Sequence, residues 1–206
     1  MSLTTYTELK ASIADWLLRD DLTAVIPDFI ALAEAQMNRQ IRDHRMVKRS
    51  DASLTTAYTT FPSDWQETIR FQLSTSPIVV LEFLTPNQAS DAVSRFSSAG
   101  KPIYFSTIGE SVELIPSPDS TYTTELTYYG KIPELSATNA SNWLLTDAPD
   151  LYLYGSLLQA APYLNEDTRI GTWQSLYSKG VEEMKIMDQR ARIGSSSIRM
   201  RPSAMA

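Results

Sequence analysis

Residues 6–42, YTELKASIADWLLRDDLTAVIPDFIALAEAQMNRQIR, decide how the chain begins. Thr5 followed by Glu8 is a capping-box pair, and Tyr6, Leu9, Ile13, Trp16 and Leu17 form an apolar stripe at helical spacing. The Arg19-Asp20-Asp21 run interrupts that stripe and predicts a break. Pro27 suits the first turn of a second helix, with Ile26, Ile30, Ala33, Met37 and Ile41 on one face and an end near Arg45 or Met46. The segment therefore reads as a helical hairpin, with Trp16 in its core.

Beyond this hairpin the composition changes. From about Ser50 to Leu135 the chain is rich in Thr, Ser, Tyr and Val and is punctuated by prolines. Leu54 to Phe61 and Thr68 to Leu73 read as short strands, and Ile78 to Leu84 as a stronger one with Val79, Leu81 and Phe83 on one side. Thr85-Pro86 opens a short helix running to about Phe96. Gly109-Glu110 suits a type II′ hairpin turn. Tyr122, Thr124, Leu126 and Tyr128 alternate with Thr123, Glu125, Thr127 and Tyr129, the period of a strand with one buried face.

The last third is helical again. Asp147 or Asp150 can cap a helix carrying Leu151, Tyr154, Leu157, Leu158 and Ala161, which Pro162 should kink or end. A long helix follows from about Asp167, with Ile170, Trp173, Tyr177, Val181, Met184 and Met187 on its stripe and a stop near Gly194. The expected fold is α+β: N- and C-terminal helical hairpins packed as a helix bundle, a small, mostly antiparallel β insert and an extended C-terminal tail. The boundaries expected are 1–49, 50–146, 147–194 and 195–206.

Composition removes whole classes of function. The 206 residues include no cysteine and one histidine, which excludes disulfide frameworks, thiolate clusters, cysteine nucleophiles and most imidazole-rich metal sites. Seven scattered glycines assemble neither a Walker loop nor a dinucleotide fingerprint. A serine triad would need His44, set among Arg42, Asp43 and Arg45, and no G-x-S-x-G elbow exists. Asp15 and the Arg19-Asp20-Asp21 run argue against a signal peptide, and no apolar run approaches the length of a membrane span. No catalytic residue, cofactor or metal is expected.

Two other chemistries stay open on residue types. Paired carboxylates can hydrolyse glycosidic bonds, and Glu110, Glu113 and Asp119 are the acids a cell-wall hydrolase would use. Asp64 with Glu67 and Asp147 with Asp150 are spaced as helix-start acids instead. The basic cluster Arg39, Arg42, Arg45, Lys48 and Arg49 could grip double-stranded DNA, line a subunit interface, or complement the carbonyls of a helix C-terminus. Net charge is −6, but the first 188 residues hold 14 basic and 24 acidic side chains, whereas Arg190, Arg192, Arg199 and Arg201 follow with no acid. An acidic body with a basic tail suggests a tail that reaches for an acidic surface.

Four stretches, taken together, resemble the head-to-tail adaptor (connector) proteins of tailed bacteriophages, particularly the short-tailed ones. They are residues 6–42; VVLEFLTPNQASD with GKPIYFSTIGESVELIPSPD; LTYYGKIPELSATNASNWLLTDAPDLYLYGSLLQAAPYL; and the final long helix with its polar tail. The resemblance implies a virion structural protein at the head-tail junction, made in the bacterial cytoplasm. It implies a ring of twelve copies under the portal that extends the DNA channel, lets the duplex pass unbound during ejection, and docks the tail or nozzle and in some phages fibres. It also implies a C-terminal arm reaching the portal, and Arg192, Ile198, Arg199, Met200 and Arg201 occupy that segment here.

Overall fold

The computed structural model describes residues 3–164 and 168–193. In chain order these form α1 (Tyr6–Leu17), α2 (Ile26–Gln40), β1 (Val47–Leu54), β2 (Tyr58–Thr60), β3 (Trp65–Leu73), β4 (Val79–Val80), β5 (Glu82–Phe83), α3 (Pro86–Arg95), β6 (Tyr104–Ile108), β7 (Ser111–Ile115), β8 (Tyr122–Gly130), α4 (Trp143–Asp147), α5 (Pro149–Leu164) and α6 (Ile170–Ile193). They divide into two compact units, a helical one from residues 1–44 and 132–206 and a β-rich one from residues 45–131.

In the helical unit the capping box is formed. Thr5 Oγ1 accepts from the Glu8 N–H, and Glu8 Oε2 accepts from the Thr5 N–H. α1 ends at Leu17, directly before the charged run, and its cap Leu18 adopts the left-handed conformation (φ 55°) with its N–H returning to Ala14 and Asp15. The axis of the unit is α5: α1, α2, α4 and α6 all pack on it, and α1 and α2 meet each other only slightly. Leu151, Tyr152, Leu153, Gly155, Ser156, Leu157, Ala160 and Ala161 are buried, so α5 is apolar on nearly every side. Gly155 lets neighbours close in, since a Cβ there would meet Met37 Cε at 3.1 Å and Tyr177 Cε2 at 3.2 Å.

The β-rich unit is built from two four-stranded sheets, ordered β1-β8-β3-β4 and β2-β7-β6-β5. All pairings are antiparallel except the parallel β5–β6. Leu54, Phe71, Leu73, Leu81, Phe105, Val112, Leu114, Leu126 and Tyr128, from both sheets, form one apolar core. β8 alternates as its sequence does, with Thr124, Leu126 and Tyr128 buried. The β6–β7 turn has positive φ at Gly109 (62°) and not at Glu110, which selects type II′ over type I′.

These findings correct the expected fold class. The helices do not form a bundle of two separate hairpins: α1 and α2 meet only slightly, and α5, apolar on nearly every side, is the core element they share with α6, where a stripe on one face had been expected. The insert is not one small patch but two four-stranded sheets. What stands is helices at both ends of the chain with strands between them. Three local readings change too. Ile78 to Leu84 is not one strand: the chain crosses between sheets at Leu81, which leaves Leu81 buried and Phe83 52 % exposed. Asp64 and Glu67 do not start a helix; they flank and enter β3. Trp16 is not core but 41 % exposed, edge-on to Tyr154. The expected tail lies outside the described residues.

Candidate interaction surfaces

Much of the helical unit is tied together by side chains from distant parts of the chain. Glu34, 5 % exposed on α2, accepts from the Leu135 N–H at 2.8 Å and the Tyr152 hydroxyl at 3.0 Å. Asn142 caps α4 by accepting from the Leu145 N–H, and its amide donates to Tyr152 Oη and to the Pro133 carbonyl, both at 2.6 Å. Asn38 Oδ1 accepts from the Ile132 N–H at 2.8 Å. The irregular stretch 132–142 is thereby pinned to α2 and α5. Burial raises the Glu34 carboxyl above its ordinary value despite these bonds, and burial with the nearby Glu34 charge raises the Tyr152 phenol.

A second tie holds the end of α6. The His44 N–H donates to Asp188 Oδ1 at 2.7 Å, and His44 Nδ1 lies 3.2 Å from both Asp188 Oδ1 and the buried Asp43. Arg192 Nε reaches the other Asp188 oxygen at 2.6 Å. Asp43, His44 and Asp188 present three potential ligand atoms within 4.8 Å. Hydrogen bonding and the Arg192 ion pair already account for this arrangement, with the lone histidine as a structural clasp. Among the proposed portal residues, Arg192 is thus anchored at the helix end, and Ile198, Arg199, Met200 and Arg201 lie outside the described residues.

The basic cluster is dispersed rather than gathered. Arg42 donates to the Asn38 and Ile41 carbonyls, the helix-end role its position allows. Lys48 pairs with Asp64 at 2.6 Å and Arg49 with Glu125 at 3.4 Å, both within the β-rich unit. Arg39 is exposed on α2, and Arg45 is half-buried. Asp64 also accepts from the Tyr128 hydroxyl at 2.9 Å. Burial pushes the Asp64 carboxyl up, but Lys48 and Tyr128 pull harder and leave it below its ordinary value. Tyr128 is pushed up to about 12 by burial and by Asp64.

The acids of the hydrolase alternative are not brought to one cleft. Glu113 accepts from the Tyr58 hydroxyl and Asp119 from the Tyr122 hydroxyl, whereas Glu110 lines a groove with Trp65 and Lys131. Trp65 stacks flat on Phe61, with centroids 4.1 Å apart. Trp143 opens α4 half-buried, and Trp173 is wholly buried in α6 as its stripe predicted.

Two surfaces of the β-rich unit were missed in the sequence. Ile78, Val80, Phe83, Val93 and Phe96 are large apolar side chains left exposed on and around β4, β5 and α3. The split of residues 78–84 between two sheets exposes the first three, and the alternation alone does not reveal it. A cleft of about 340 Å³ opens between the sheets beside β1, lined by Ser50, Ala52, Leu54, Thr59 and Phe61 among others. Among the described residues no helix is long and apolar enough to cross a membrane.

These surfaces suit a protein that acts by contact, and the comparison with known families agrees. No curated protein matches the chain. The SU10 adaptor protein family model matches residues 4–201, nearly the whole sequence. The chain therefore belongs to the SU10 adaptor protein family, structural proteins of the bacteriophage head-to-tail junction.

Proposed function

We propose that twelve copies form a ring beneath the portal, of the short-tailed-phage type, that extends the DNA channel without chemistry and docks the nozzle and, where present, fibres. The family match over residues 4–201 is the observation that carries this reading. The charge distribution supports it: a body of net −10 over 188 residues repels phosphate and suits a conduit that must release its cargo during ejection. Beyond Arg192, Ile198, Arg199, Met200 and Arg201 provide a portal-binding segment rich in cations and without acids. A ring needs two different patches per subunit. Arg39, with Arg42, Arg45, Lys48 and Arg49 near it in sequence, is proposed as part of one of them.

The test is native mass spectrometry of the chain co-expressed with the portal protein of its own genome. A closed complex with many copies per portal ring is the expected result. A monomer beside an unoccupied portal, even with the chain in excess, would refute the adaptor ring.

A further inference from the structure

The two sheets expose four edge strands, and three of them are short: β2 has three residues, β4 and β5 two each. The fourth, β1, has eight residues and, among the described residues, pairs on one side only, with β8. A long unpaired edge offers a row of backbone donors and acceptors, and proteins usually shorten, charge or cover it. β1 carries charge on its outer face, where Arg49 and Asp51 lie, and Lys48 on its inner face is held by Asp64. From Ser50 to Leu54 its inner face is uncharged: Ser50, Ala52 and Leu54 line the cleft with Thr124 and Leu126 of β8. Across the cleft lie Thr59 and Thr60 of β2, three residues long against eight in β1, and Ala52 is exposed although it points between the sheets.

The chain beyond Ile193 has the complementary pattern. Ser197, Ile198, Arg199, Met200 and Arg201 alternate polar and apolar residues, the period of a strand, and Pro202 ends the run. Ile198 and Met200 would face the cleft. Arg199 and Arg201 would then lie on the outer face, where Asp51 sits directly across from Glu125 and Arg49 pairs with Glu125 at 3.4 Å. Like charges facing each other across a ladder favour an added cation.

We propose that residues 197–201 of a second copy add as a strand to the free edge of β1 and seat Ile198 and Met200 in the cleft. The inference deepens the ring reading, on which it rests: a tail and a strand edge are two different patches, so the contact is head-to-tail and can close. The same segment serves the portal once displaced from its neighbour, and until then it covers the edge most prone to unwanted pairing.

The test needs no portal, so its failure is separable from failure of the adaptor reading. Hydrogen exchange at Lys48–Leu54 is followed in the full chain across concentration, in the full-length Ile198→Asp/Met200→Asp variant, and in that variant with a synthetic peptide of residues 194–206 added. Expected are slow exchange in the wild type that slows further with concentration, roughly tenfold or faster exchange in the variant, and rescue by the peptide. Equal exchange in wild type and variant, or no rescue at saturating peptide, would overturn the proposal. Protection independent of concentration would overturn donation by a second copy and assign the strand to the chain's own tail.

Discussion

The two units of this chain are held together by different physics. The β-rich unit relies on a continuous apolar core between two sheets, with one prominent polar tie, Asp64 to Lys48 and Tyr128, at its margin. The helical unit packs around α5 and adds ties between residues more than a hundred positions apart, among them Glu34–Tyr152, His44–Asp188 and Gln40–Tyr177. Apolar packing tolerates many substitutions of equal volume, whereas a buried polar network fails when one member is lost. The difference implies that the helical unit is the more specific and the more easily broken of the two.

The strongest way to break the contrast is to empty the centre of the helical unit. Trp173→Ala should cost about 3–5 kcal/mol, and Leu114→Ala between the sheets about 2–5 kcal/mol. Denaturation read by hydrogen exchange should show each loss confined to its own unit. Next comes the buried carboxylate. Glu34→Leu leaves the Leu135 N–H and the Tyr152 hydroxyl without their acceptor, at about 1–3 kcal/mol each. Glu34→Gln keeps an acceptor and removes the buried charge, so it should cost about 1 kcal/mol or less at neutral pH. A Gln variant as damaging as the Leu variant would mean that the charge itself is required.

Acidity sharpens the comparison, because the two units should respond in opposite senses. Glu34 is raised in the folded state, so the native helical unit holds the proton more tightly than the unfolded chain. Its contribution declines as pH rises from about 4.5 through the folded value, and Glu34→Gln should flatten that decline. Asp64 is lowered, so its contribution is full above about pH 3.8 and is lost as pH falls through the folded value. Asp64→Asn should remove that acid-side loss. Urea titrations of both variants across the acid range measure the two slopes. The smallest effect belongs to α1: Leu18→Gly relieves a left-handed leucine that is 83 % exposed, and should stabilise the helical unit by about 0.5–1 kcal/mol in a thermal melt.

Local signals were legible where one residue type has one physical role. Thr5 with Glu8, Thr85-Pro86 and Gly109-Glu110 announced a cap, a helix start and a hairpin, and β8 announced its faces by alternation. Partnership between distant segments was not legible. Nothing in the spacing of Glu34, Asn142 and Tyr152 says that they meet, and an α5 apolar on nearly every side reads as one stripe when only its strongest residues are taken. Residues 78–84 alternate as a single strand would, yet Leu81 fills the core while its neighbours serve different sheets, a choice made by tertiary packing. The interaction surfaces were dim for the same reason. The basic residues 39–49 are close in sequence, but Lys48 and Arg49 find their partners across a sheet.

The register of β1 on β8 has one more consequence. Val47 pairs with Tyr129, so the chain enters and leaves the β-rich unit on adjacent strands, at the same end of one antiparallel ladder. Paired residues in such a ladder lie only about 5 Å apart. Tension on the two flanking segments would peel this ladder open like a zipper, one rung at a time, instead of shearing all its bonds together. The same proximity makes the unit an exchangeable cassette: a two-residue turn could span the gap it leaves, and another insert whose ends meet in this way could be grafted in its place.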